Sequence, residues 1–232
     1  MKSTYFFTRQ DKFLFLLFPV VVFSLFSSCK KDTIEGGGTV LGEAKIKLIN
    51  ASQGSSSIDF YVDNAKINSS SLAYGEGSEY IKIASGTKTT KVNQGMGALE
   101  TAAGYNFVPT FSYTSFFVED KEGVGEILTL EDNLGAVESD KSRVRFVNLS
   151  PNFTNAINVS LVGGELIVNA LPFKASSSYF LVQSGKTIGV SVVGTGTLKI
   201  APGNEFEGGK NYTIWLGGTS NANLSINKIT YN

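Results

Sequence analysis

The 232-residue chain contains no histidine and a single cysteine, Cys29. Without histidine there is no Ser-His-Asp or Cys-His triad, and the commonest zinc ligand is missing. One thiol forms no disulfide within the chain. An excess of one charge is missing too: 20 basic residues balance 20 acidic ones, so no net field points to nucleic acid or anionic lipid. Stretches rich in Leu, Glu, Lys and Ala, of the kind that build helices, are scarce. What remains is rich in Gly, Ser, Thr, Asn, Val and Ile, the profile of an all-β protein. Neither a cofactor nor a metal is expected.

The long apolar run lies at the N-terminus. Lys2, Arg9 and Lys12 make a positive leader, residues 13–25 are apolar (FLFLLFPVVVFSL), and the small Ser27 and Ser28 follow. These are the parts of a secretory signal. A membrane-spanning helix needs about 20 apolar residues, and this run is shorter and interrupted by Pro19. Leu25-Phe26-Ser27-Ser28-Cys29 resembles the lipobox of bacterial lipoproteins, with Phe26 departing from its commonest form. The resemblance implies removal of residues 1–28 and lipidation of Cys29. Two acyl chains anchor a protein stably, at about 0.8 kcal/mol per buried methylene. The cysteine is followed by Lys30-Lys31-Asp32, which resembles the start of Bacteroidota lipoproteins carried to the cell surface. Asp32-Thr33-Ile34 resembles the O-glycosylation signal of that phylum and marks Thr33 as a candidate. The expected address is the outer membrane at the cell surface, with a periplasm-facing protein as the alternative. Gly36-Gly37-Gly38 completes a flexible tether over residues 29–43.

Beyond the tether the sequence repeats itself. AKIKLINAS at residues 44–52 aligns with SRVRFVNLS at 142–150. In both, apolar and basic residues alternate with period two, as in a half-buried strand. Residues 58–62 (IDFYV) answer 157–161 (INVSL), Tyr80 answers Tyr179, and Gly86 answers Gly185. Asn106-Phe107 is paired with Asn211-Tyr212. Short strands with regular turn signals predict two tandem antiparallel β-sandwiches, immunoglobulin-like or transthyretin-like. The expected boundaries are 44–134 for the first, a polar linker at 135–141, and 142–232 for the second. One fused sandwich or barrel is the alternative.

The run Val144-Arg145-Phe146-Val147-Asn148-Leu149-Ser150-Pro151, with Gly185 after an aromatic strand, resembles the DUF4397 family of exported bacterial β-sandwich modules. The resemblance extends over residues 44–232 and is clearer in the second half. It carries no activity across.

Catalytic signals are faint. Paired carboxylates could serve a glycosidase, and the clusters to weigh are Asp59 with Asp63, and Glu119, Asp120 and Glu122. Asp63-Asn64 and residues 119–123 read equally as turns. Calcium at Asp59 and Asp63, or at Glu131 and Asp132, would need six or more oxygen ligands, and neither stretch is that rich. Aromatics give a better hint: Phe111, Tyr113 and Phe116 are candidate ligand-binding residues if exposed, and core residues if not. Trp215 reads as core. The expected function is a membrane-anchored binding or adhesion module for a glycan, cell-wall component or envelope protein, without nucleic acid as a partner. A structural subunit of an envelope assembly is the alternative, and a carboxylate-dependent hydrolase ranks below both.

Overall fold

A computed structural model describes residues 42–95 and 100–231. The signal segment, Cys29 and Thr33 lie outside the described residues. The first copy contributes eight strands: β1 (Glu43–Asn50), β2 (Ile58–Val62), β3 (Ala65–Lys66), β4 (Ile81–Ala84), β5 (Gly86–Gln94), β6 (Glu100–Phe107), β7 (Ser112–Glu119) and β8 (Gly125–Glu131). The second contributes β9 (Lys141–Asn148), β10 (Ile157–Leu161), β11 (Leu166–Leu171), β12 (Phe180–Gln183), β13 (Ile188–Val192), β14 (Leu198–Ala201), β15 (Asn211–Gly217) and β16 (Ser225–Tyr231). A single 3-10 turn, Gly203–Glu205, is the one helical piece described.

The strand order is β4-β1-β7-β8 over β3-β2-β5-β6 in the first copy, and β12-β9-β15-β16 over β11-β10-β13-β14 in the second. The two orders are identical once the second copy is renumbered, so the chain is all-β with two tandem sandwiches. β1 runs parallel to β7, and β9 parallel to β15, while the other pairings are antiparallel. In an immunoglobulin sandwich the first strand pairs with the second. Here β1 pairs with β4 and β7 instead, which is the transthyretin-like arrangement.

One alignment in the sequence needs correcting. Asn106-Phe107 ends β6, whereas Asn211-Tyr212 opens β15. The true partners are Phe107 with Phe206, and Tyr113 with Tyr212. Within each copy the phenylalanine meets the tyrosine edge to face, Phe107 with Tyr113 at 5.1 Å and Phe206 with Tyr212 at 5.5 Å between ring centres. Each tyrosine hydroxyl accepts a backbone N–H at the turn before its strand, from Val108 at 3.0 Å and Glu207 at 2.9 Å.

Each sandwich has its own core, built on Ile46, Leu48, Phe60 and Phe107 in one and Val144, Phe146, Val159 and Ile214 in the other. A third apolar cluster joins them: Ile49, Phe116 and Val118 pack with Val147, Leu149, Trp215 and Ile229. The sheets containing β1 and β9 therefore pack against each other, and β1 and β9 are covered on both faces from their middles onward. The strands read as half-buried from the alternation are thus buried on both faces past their first few residues. Lys47 is 9 % and Arg145 4 % exposed, because the face they occupy meets the opposite sheet rather than solvent.

Candidate functional site

Two places gather polar side chains: the seam between the sandwiches and a cleft at one end. The seam is centred on Asp132, just past β8. Its Oδ1 accepts from Arg145 Nη2 at 2.7 Å, and its Oδ2 from Tyr80 Oη and Thr114 Oγ1, both at 2.7 Å. Tyr231 Oη stands 3.2 Å from Oδ1 and within 3.1 Å of Thr114 and Thr213. Arg145 also donates to the Glu131 carbonyl at 2.7 Å and to Thr213 Oγ1, and its guanidinium lies over the Tyr179 ring. Burial, followed by the charge of Asp132, pushes the Tyr80 and Tyr231 phenols above the ordinary tyrosine value. Burial works against the charge of Arg145, but the surrounding Tyr179, Tyr231 and Asp132 outweigh it and raise its pKa.

A carboxylate met by this many donors, with a buried arginine beside it, has no lone pair free for a metal or a substrate proton. The calcium reading at Glu131 and Asp132 is thereby removed, and the polar stretch after β8 is no plain solvated link. The seam fixes one sandwich on the other.

The second place lies beyond the C-terminal ends of β1, β7, β9 and β15. A cleft of about 290 Å³ opens there, lined among others by Ser52, Gln53, Glu119, Lys121, Ser150 and Asn152. Loops of both sandwiches form it. Asn50 and Asn148, the shared asparagines of the repeat, hold its walls. Each is fully buried, donates to a carbonyl of a neighbouring segment (Leu72 and Leu171), and accepts the N–H of the serine two residues on, Ser52 or Ser150. The Asn-x-Ser motif is thus a loop anchor. Ser52 hydroxyl donates to Glu119, whose other oxygen accepts from Gln94 at 2.7 Å. Ser150 Oγ donates to the Gly218 carbonyl at 2.8 Å.

The remaining residues singled out in the sequence are dispersed. Asp59 pairs with Lys66 at 2.9 Å and accepts from Asn68 and Ser71. Asp63 accepts from Lys88 at 2.8 Å and from the Thr89 N–H, which together hold its carboxyl below the usual aspartate value. With Asn64, it adopts positive φ in the β2–β3 turn, as a two-residue hairpin requires. Asp120 Oδ1 caps the β7–β8 turn by accepting from the N–H groups of Glu122 and Val124. These carboxylates hold turns. Tyr113 and Phe116 are 2 % and 0 % exposed and are core side chains that no ligand reaches, because both faces of β7 are covered. Phe111 alone of the three candidates is exposed, at 40 %, and it lies at the opposite end from the cleft. Trp215 is buried in the seam with its ring edge-on to Tyr74. Among the described residues no group of His, Cys, Asp and Glu is placed to hold a metal ion, and no helix is long and apolar enough to cross a membrane.

The Arg145–Asp132 pair and the cleft were not found in the sequence. The alternation of Arg143 and Arg145 with apolar residues was the available signal, since a basic residue on a face that turns out to be covered must find a counter-charge.

The molecule is a duplicated transthyretin-like sandwich whose two copies are joined by a polar-centred seam. The model of the domain of unknown function DUF4397 matches residues 44–159, half of the chain, and the chain belongs to that family. The match spans the first sandwich and continues through β9 into β10, whereas the sequence resemblance looked clearer in the second half. The chain is also similar to a crystal structure of a candidate cell adhesion protein from Bacteroides ovatus. That likeness has 12 % identity, covers 82 % of this chain and 97 % of the other, and has a TM-score of 0.24, too low to bear on fold or function. No curated protein matches the chain.

Proposed function

We propose that this protein is a membrane-anchored, non-catalytic binding module that holds its polar cleft toward a glycan, a cell-wall component or another envelope protein. The carrying observation is the position of the cleft. The described chain begins at Gly42, at the start of β1, and the cleft lies past the end of β1. Eight residues of strand separate the two by about 25 Å. A tether that joins the body at Gly42 therefore leaves the loops of the cleft free of the chain's own attachment. Hydroxyl, amide and carboxylate groups line the cleft, which suits a ligand rich in hydrogen-bonding groups. Catalysis has little support, because Glu119 and Asp120 already serve the loops that carry them.

A second reading, a structural subunit of an envelope assembly, rests on one contrast. The outer face of the β11-β10-β13-β14 sheet exposes Leu166, Leu198 and Ile200, where the corresponding sheet of the first copy turns out Asp59, Lys91, Asn93 and Glu100. Sheet faces of that kind are suited to lateral contact.

Binding of the mature protein to purified sacculi and to a bacterial and host glycan array tests the first reading. The expected result is retention that drops at least tenfold in Lys121→Ala/Asn152→Ala, with the circular dichroism spectrum unchanged. Equal retention of that variant would remove the cleft as the binding place.

A further inference from the structure

Of all the aromatic side chains described, Phe111 alone is exposed. It stands in a hollow of about 410 Å³ that opens where β7 begins and the chain leaves β8, at the opposite end of the first sandwich from the cleft. Both walls of the hollow are held in place. On one side the turn at 108–111 is tied to β1: the N–H of Thr110 donates to Glu43 O at 2.8 Å, and that of Lys45 to Phe111 O at 2.9 Å. Thr110 keeps φ at +70°, a conformation that costs a β-branched residue and persists only where its surroundings fix it. On the other side, residues 131–135 are gripped by the second sandwich. Arg145 holds the Glu131 carbonyl and the Asp132 carboxylate, Arg143 the Asn133 carbonyl, and Asn211 the Gly135 carbonyl at 3.0 Å. The Asp132 N–H joins the two walls by donating to Ser112 O at 2.8 Å.

The side chains between these walls are unused by the fold. Among the described residues, Thr110, Ser112, Glu131 and Asn133 engage no side-chain atom in a hydrogen bond or ion pair, and all four line the hollow. Asp132, which also lines it, is spent in the seam, so Glu131 is the one charge left facing the hollow. We propose that this hollow is a second binding site, for a neutral pyranose residue of a glycan. The apolar C–H face of such a ring stacks on Phe111 and drives water from both surfaces. Its hydroxyls donate to the Glu131 carboxylate and accept from the Asn133 amide, while Thr110 and Ser112 can do either. Walls fixed in advance leave little freedom to lose on binding. A peptide side chain would ask for apolar depth that one phenylalanine and a half-buried Leu134 do not supply. An acidic sugar would be repelled by Glu131. The site shares no residue with the cleft and stands independently of it.

Saturation-transfer difference NMR on the full mature chain tests the site, with maltotriose, cellotriose and chitotriose as neutral probes and trigalacturonate as the acidic one. The expected result is saturation transfer to the ring C–H protons of at least one neutral trisaccharide, and weaker transfer to trigalacturonate. On titration, Phe111→Ala should weaken binding of that sugar by about tenfold or more through the lost stacking contact, whereas Phe111→Trp should keep it. Asn133→Ala is expected to weaken it as well, and Lys121→Ala/Asn152→Ala, in the cleft, to leave it unchanged. Phe111 is exposed, so its variants should keep the circular dichroism spectrum of the unmodified protein. Equal affinity in Phe111→Ala, or loss of binding in the cleft variant alone, would overturn this site and leave the cleft reading standing. Failure of all the neutral trisaccharides to bind at millimolar concentration, or a preference for trigalacturonate, would overturn it too.

Discussion

Replacing Asp132 by alanine is expected to cost about 3–5 kcal/mol of stability, because it leaves Arg145 buried without a counter-charge. Arg145 is 4 % and Asp132 5 % exposed, so water cannot take over the solvation that the carboxylate supplies. The loss spreads beyond the pair: Tyr80 and Thr114 lose the acceptor they share, and each buried hydroxyl left unpaired adds to the deficit. The double variant Asp132→Leu/Arg145→Met is expected to recover much of the loss, since two apolar side chains of matching size need no partner in an apolar seam. Urea titrations of the single and double variants decide the matter. A single variant within about 1 kcal/mol of the unmodified protein would show that the pair is solvated and that the seam is looser than described. The shared apolar cluster of Phe116, Val147 and Trp215 gives a further expectation: the two sandwiches unfold in one transition.

Alkaline pH is expected to attack the same seam. The phenols of Tyr80 and Tyr231 have folded pKa values raised above the ordinary tyrosine range, by burial and then by the Asp132 charge. Below pH of about 10 both the folded and unfolded forms keep these protons, and the stability contribution is complete. Above it the unfolded chain releases protons that the folded chain retains, so stability falls as pH rises, at about 1.4 kcal/mol per pH unit for each tyrosine. The two together give a slope near 3 kcal/mol per unit between roughly pH 10 and the folded values. Tyr80→Phe/Tyr231→Phe should be less stable at neutral pH, having lost hydrogen bonds to Asp132, and should show a much shallower alkaline slope. An unchanged slope in that variant would place the titrating groups elsewhere.

Much of the architecture was legible because it is carried by local pattern. The alternation in residues 44–52 and 142–150 places strands, Gly86 and Gly185 sit at matching turns with positive φ, and the repeat fixes the duplication. What stayed hidden depends on partners distant in sequence. Alternation reports one buried face of β1 and β9, but whether the other face meets water or another sheet is decided by packing across the seam. Asp132 lies in a stretch whose composition reads as solvated, yet β8 delivers it to a buried arginine thirteen residues on. Whether Tyr113 and Phe116 were core or exposed stayed open for the same reason. Strand order is also a non-local property, so turn spacing alone left immunoglobulin-like and transthyretin-like sandwiches open. The cleft was out of reach because no short segment builds it: its walls come from four loops, and the repeated Asn-x-Ser that anchors two of them reads as a turn signal in isolation.

Which ligands the cleft can meet depends on the side of the outer membrane it faces in the living cell. The most direct measurement is labelling by a membrane-impermeant amine reagent on intact cells, beside cells whose outer membrane has been opened, with Lys121 at the cleft rim followed by mass spectrometry. Outward display of an anchored module predicts that Lys121 is modified on intact cells, and that Cys29→Ser sends the protein out of the membrane fraction. Modification only after the membrane is opened would contradict display at the surface and place the cleft in the periplasm.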